Sequence, residues 1–174
     1  MTQYEWVAQK SNHKARNLVF VLLAAAFVFM LIPMIFPAMP FRWGIQLIAL
    51  CLLTAGIFMT TRYLTRLYIY RIVGEGDALD LTVTEAASNG KRQITVCRVA
   101  LSRIHRLAVF DAATPDVEKK ERGLLKGRHI KQYDYRPDLR PEKSIFLIVE
   151  EGGEELGLFL SYDEELFSQL SREK

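Results

Sequence analysis

Cys97, Ser102, His105 and His129 are the residues of this 174-residue chain whose types lend themselves to covalent or metal chemistry. A thiol or hydroxyl becomes a nucleophile beside a base, and thiolate with imidazole holds zinc. The spacing offers neither arrangement. No pair stands at a C-x-x-C or H-x-x-x-H interval. On an extended strand, His105 would point away from Ser102, three residues before it. Gly74-Glu75-Gly76 lacks the Lys-Ser of a phosphate loop and reads as a turn. Glu150-Glu151 and Glu154-Glu155 flank Gly152-Gly153, where charges keep a hairpin tip soluble and no cleft is offered. The expectation is a chain with no catalytic, cofactor-binding or metal-ligating residue, and therefore not an enzyme.

A second kind of chemistry is electrostatic. Lys119, Lys120, Arg122, Lys126, Arg128 and Lys131 crowd one stretch. An anionic leaflet attracts surface cations by about 1 kcal/mol each, so these six are the expected membrane-surface contact, toward anionic lipid headgroups. Asp116, Glu118 and Glu121 cancel half of that charge, and an ordinary solvated loop is the alternative. Nucleic acid is not an expected partner. The net charge of +3 comes from residues 1–61, whereas residues 62–174 hold 19 Lys or Arg against 19 Asp or Glu, with no recognisable reading helix. Within that neutral region charge is segregated: residues 91–143 are mainly basic, and residues 144–170 hold seven acids and no base.

The elements that would position these groups begin with a membrane hairpin. Residues 18–39 contain no charge and as a helix would span about 33 Å, enough for a hydrocarbon core of about 30 Å. Residues 44–61 form a shorter second segment after a turn of Pro40, Phe41, Arg42 and Trp43. Ala24, Ala25 and Ala26 against Ala49, Ala55 and Gly56 are the expected helix contact, since small residues let backbones approach in lipid. Pro33 and Pro37 should kink the first helix or end it early. Lys10, Lys14 and Arg16 precede the pair, Arg62, Arg66 and Arg71 follow it, and Arg42 stands alone between, which predicts an inner-membrane protein with both termini cytoplasmic. Cys51 lies in the second segment and Cys97 beyond it, so no disulfide is expected. Residues 1–17 read as a cytoplasmic segment, with Tyr4 and Trp6 either at headgroup level or on a frayed tail.

From residue 62 to 174 the pattern is that of one domain. Leu79, Leu81 and Val83 alternate with polar neighbours, Asn89-Gly90 marks a tight turn, and residues 92–100 and 104–110 return as strands. Residues 116–125 are charged and read as an exposed helical turn or loop. Residues 129–135 form an expected edge strand, and 144–149 and 156–160 a hairpin about Gly152-Gly153. Ser161 and Glu164 stand as a capping box for a helix over 162–172, with Leu166, Phe167 and Leu170 as its apolar stripe. The fold class expected is a two-helix transmembrane hairpin plus a mainly-β domain, an antiparallel barrel or sandwich of about seven strands capped by a C-terminal helix.

That order of elements, with the runs CRVALSRIHRLAVF (97–110) and YDYRPDLRPEKSIFLIVEEGGEELGLFLSYDEELFSQL (133–170), resembles the small bacterial membrane proteins that carry a pleckstrin-homology-like (PH-like) domain. The resemblance implies a non-enzymatic interaction or scaffold module at the cytoplasmic membrane face, with a protein partner engaged by loops or sheet edges and no cofactor. It carries over no fixed set of functional residues. The alternative is an accessory subunit of a larger membrane complex, held by helix packing.

Overall fold

The structure, a computed structural model, describes residues 2–8, 13–75, 78–87, 92–127, 130–139 and 141–172. It divides into two compact units: residues 12–66, and residues 1–11 together with 67–174.

The first unit is a helical hairpin, α1 (Lys14–Ile35) and α2 (Arg42–Met59), both long and apolar enough to cross a membrane. Helix α1 runs through Pro33 and stops two residues later, ahead of Pro37, so the prolines end it early. The turn is residues 36–41, and Arg42 and Trp43, expected in the turn, are already helical. Ala15, Val19, Ala26 and Pro33 of α1 and Ala49 and Gly56 of α2 are buried. A Cβ on Gly56 would lie 2.8 Å from Leu23 Cδ2, so the Leu23 side chain packs directly on this glycine. Of the small residues expected at this contact, Ala24 and Ala55 instead face outward. Past Met59 the helix widens into a π turn (Thr60–Leu64). Thr54, Thr60, Thr61 and Thr65 each donate a hydroxyl to the carbonyl four residues back, which leaves no hydroxyl proton unpaired on these four residues.

The second unit is built from eight strands in two four-stranded sheets. Strands β1 (Thr2–Ala8), β2 (Arg66–Glu75), β3 (Ala78–Ala87) and β4 (Gln93–Ala100) lie in sequence order in one sheet. The other sheet has the order β5 (Ile104–Asp111), β7 (Lys143–Glu151), β8 (Glu154–Ser161) and β6 (Lys131–Asp134). Among the described residues these are two open sheets, not a closed barrel, and β6 runs parallel to β8 rather than antiparallel. The Asn89-Gly90 turn lies outside the described residues. Gly152 and Gly153, at φ 61° and 83°, make the tight β7–β8 turn that their sequence predicts.

Residues 1–17 depart most from expectation. Thr2–Ala8 is not an interfacial segment: it pairs antiparallel with β2, Tyr4 opposite Ile72 and Trp6 opposite Tyr70. The Trp6 and Tyr70 rings sit 5.6 Å apart, and Arg71 bridges to Glu5 at 3.0 Å. The helical hairpin is thus inserted between two neighbouring strands of one sheet. The β domain does not begin at residue 62; it includes the chain's first strand.

One core joins Tyr70, Ile72, Leu81 and Val83 of the first sheet to Ile145, Leu147, Leu158 and Leu160 of the second. A second cluster, Phe110, Phe146, Ile148, Phe159 and Ile130, occupies the opposite face of the second sheet. Because β7 is covered on both faces, residues 144–149 are all buried and their sequence is nearly continuous in apolar character.

The charged stretch 116–125 is neither a single turn nor a loop but part of a 13-residue helix, α3 (Pro115–Gly127). Pro115 opens it, Asp116 and Glu118 lie in its first turn where the helix dipole favours acids, and Glu118 holds Arg122 at 2.7 Å. The Arg122 guanidinium lies over the Phe159 ring at 5.2 Å, so the helix is tied to the sheet through a cation.

The last helix, α4 (Glu164–Arg172), buries Leu166 and Leu170 in the main core. Its cap is Asp163, whose carboxylate accepts the Leu166 amide at 3.0 Å. Ser161 does not cap it, because it is still in β8, opposite Ser144.

Candidate functional site

Two phenols tie the sheets together. Tyr70, fully buried on β2, accepts the Ser161 amide at 3.1 Å and donates to the Tyr135 carbonyl at 2.9 Å. Burial, the larger effect, holds its phenol protonated far beyond the ordinary range. Tyr4 donates to Asp163 at 2.6 Å, the same carboxylate oxygen that caps α4, and desolvation followed by that bond raises its pKa as well. A single carboxylate therefore couples the docking of β1 to the start of α4.

The Tyr70 bond also fixes the wall of a groove. Tyr135 follows β6, with its amide held by the Phe159 carbonyl at 3.0 Å and its carbonyl held by Tyr70. With both backbone groups committed, its ring stands edge-on to Tyr68 at 5.9 Å and stacks with Tyr133 at 6.3 Å. Facing these rings is β4, and between them lies a cavity of about 460 Å³. Thr95, Val96, Cys97 and Arg98 form one side, Tyr133 and Tyr135 the other, and Leu156, Leu158 and Glu151 complete the lining.

Strand β4 is the last in its sheet, and it is bulged where it meets the groove. Thr95 opposes Thr84 and Cys97 opposes Val83, which leaves Val96 without a partner residue. The Val96 carbonyl lies 3.5 Å from the Tyr135 hydroxyl, the outer limit of a hydrogen bond. Arg98 pairs with Asp80 at 2.7 Å. The Cys97 thiol is pushed up to about 11, first by burial and then by the Glu151 charge. At neutral pH it is a thiol, the poorly nucleophilic form.

The residues singled out by type are distributed as follows. Ser102 and His105 are not separated by an extended strand: residues 101–103 form a 3-10 turn, and both side chains line a second cavity of about 460 Å³ with Arg103, Glu150, Gly152 and Gly153. His105 Nε2 meets Glu150 at 3.0 Å, with both side chains about half exposed, and no hydrogen bond joins His105 to Ser102. Open to water, this arrangement lacks the desolvated, hydrogen-bonded nucleophile that acyl transfer needs. His129 lies outside the described residues. Among those described, no group of three or more His, Cys, Asp or Glu is placed to hold a metal ion.

Of the six cations expected at a membrane surface, Lys119, Lys120 and Arg122 are on α3 and Lys131 is on β6. Arg122 is engaged by Glu118 and Phe159, and Lys131 by Glu154 at 2.7 Å, a bond that raises the lysine's pKa and lowers the carboxylate's. Lys119 approaches Asp116 at 3.9 Å and Lys120 is exposed. Arg128 and the Lys126 side chain lie outside the described residues.

Reading by residue type missed the groove. Its aromatic wall comes from a strand whose parallel pairing with β8 has no local signature, and its floor belongs to the core. The one readable hint was Tyr133-x-Tyr135, two rings on one face of an edge strand. No protein family, curated protein or solved structure matches the chain.

Proposed function

We propose that the chain is a membrane-anchored, non-enzymatic interaction module whose β unit is a PH-like sandwich on the cytoplasmic face of the membrane. The observation that carries this reading is the insertion of the apolar hairpin between β1 and β2. Strands that hydrogen-bond to each other must be on one side of a bilayer, so the chain enters and leaves the membrane at the same face. Lys14, Arg16, Arg62 and Arg66 at those ends, against Arg42 alone at the turn, favour the cytoplasm for that face. A four-strand meander, a second sheet that is antiparallel except for β6, and a C-terminal helix that seals the core support the PH-like description. Open sheet edges rather than a catalytic cleft support binding.

A second reading, an accessory subunit of a larger membrane complex, is favoured by Ala24 and Ala55, small residues on the hairpin's outer surface that its own packing does not use.

The test uses the full chain in intact cells, with Cys51→Ser as background. A membrane-impermeant thiol reagent should label Arg42→Cys from outside and Lys120→Cys only after permeabilisation; the reverse pattern overturns the orientation. Cross-linking from Lys120→Cys should recover a distinct protein, and recovery of nothing but the chain itself overturns the interaction role. If Ala24→Leu with Ala55→Leu releases that protein while the β unit stays folded, the second reading replaces the first.

A further inference from the structure

We propose that the groove between β4 and β6 receives an extended peptide segment of a cytoplasmic protein that alternates apolar and basic side chains. This rests on the reading of the chain as an interaction module and names the site and the chemistry of its partner.

Both sheets end at this groove, β4 last in one and β6 last in the other, so an incoming extended chain meets strand edges with no neighbour on that side among the described residues. Outside the hairpin, the exposed large apolar residues among those described are Val7, Ile94, Val96 and Tyr133, and three of these four are on β4 or β6. The bulge turns the Val96 carbonyl toward the groove, where the Tyr135 hydroxyl reaches it only at 3.5 Å. A peptide amide arriving there makes a better bond than the one it displaces.

Charge selects the partner. Among the described residues, Arg98, the one cation that lines the groove, is paired with Asp80, and Lys131 on β6 with Glu154. The Glu151 side chain, which lines the groove, makes no ion pair or hydrogen bond among the described residues, and its field reaches Cys97. Among the described residues the unpaired charge at the groove is therefore negative, on a chain whose net charge is +3, so a basic peptide drawn to it responds to the site and not to the whole molecule. An arginine or lysine can lay its methylene stem along Tyr133 and place its head at Glu151, while apolar neighbours cover Val96 and Leu156. The same negative charge disfavours an anionic lipid headgroup.

The experiment uses the full chain in non-ionic detergent and a fluorescein-labelled peptide, Val-Arg-Val-Lys-Val-Arg, with its glutamate counterpart as the control. Anisotropy should report binding of the basic peptide that weakens with salt, and none of the acidic one. Glu151→Lys, a substitution on an exposed position, should weaken the basic peptide by about tenfold or more, and Val96→Lys should weaken it too, both with an unchanged thermal midpoint. Equal binding of the two peptides, no binding by the unaltered chain, or indifference to both substitutions overturns the proposal. If Glu151→Lys still cross-links the cellular partner as the unaltered chain does, the groove is not the site although the interaction module stands. Loss of the partner's capture in every variant, unaltered chain included, is instead the failure of the module reading.

Discussion

The hairpin and the β unit solve the same problem with opposite surfaces. In the hairpin Phe20, Phe27 and Met34 are 63–76% exposed while Ala26, Ala49 and Gly56 are buried. In the β unit the large residues Tyr70, Phe146, Leu158 and Leu160 are the buried ones. Polar groups differ in the same way: threonine hydroxyls of α2 return to their own helix, whereas the phenols of Tyr4 and Tyr70 reach across more than sixty residues of sequence to another element. The contrast is the one expected of a lipid-facing hairpin beside a water-facing β unit. Lipid rewards apolar surface and leaves backbone closeness to small residues, whereas water drives large side chains inward and makes every buried polar group costly unless paired.

The largest effect that tests this contrast is a deletion. Replacing residues 9–65 by a short Asn-Gly turn that joins Ala8 to the start of β2 should yield a soluble, cooperatively folding β unit, because Ala8 already lies opposite Tyr68. Residues 66–174 alone lack β1, expose Tyr70 and Ile72, and should aggregate; size-exclusion chromatography and chemical denaturation followed by circular dichroism distinguish the two. Equal solubility of both would show that β1 is dispensable and would break the comparison.

Tyr70→Phe comes next. It leaves the Ser161 amide and the Tyr135 carbonyl without their partner, at a cost of about 1–3 kcal/mol for each buried group so orphaned, read as a lowered denaturation midpoint of the β unit. Gly56→Val makes the matching test in the hairpin. A Cβ there meets the Leu23 side chain at 2.8 Å, so Leu23 must shift to make room, at about 1–3 kcal/mol. Unfolding in micelles should show the loss in the helical signal with the β unit's transition unmoved.

The smallest effect depends on pH. The folded Cys97 thiol titrates near 11 against 9.0 for an unperturbed one. Folding therefore favours the protonated form, and this contribution is complete below pH 9 and lost as pH rises toward 11. The stability difference between the unaltered chain and Cys97→Ser should narrow over that window, and a difference constant with pH would mean that the groove leaves the thiol open to water.

Much of this molecule was readable from local pattern. The prolines that end α1, the alternation of Leu79, Leu81 and Val83, and the Gly152-Gly153 turn each act within a few residues. The misreadings share a different cause. Helix α3 has no readable apolar stripe because one tie to the sheet is a guanidinium over Phe159. The cap moved from Ser161 to Asp163 because β8 runs on through Ser161, paired with Ser144, and the helix starts only at Glu164. Ser102 and His105 share a cavity because a 3-10 turn interrupts the strand between them. Of the groove, only the aromatic pair Tyr133 and Tyr135 left a trace in the sequence.

The sequence by itself determined that two apolar helices long enough to cross a membrane are joined to a strand-rich unit, since length, composition and a period of two are properties of neighbouring residues. Only the tertiary structure decided that β1 belongs with β2 across the hairpin, that β6 lies parallel to β8, and that Val96, Tyr135 and Glu151 face one groove. Pairing between distant strands is fixed by which combination buries the shared core and satisfies its polar groups together, and no single segment carries that information.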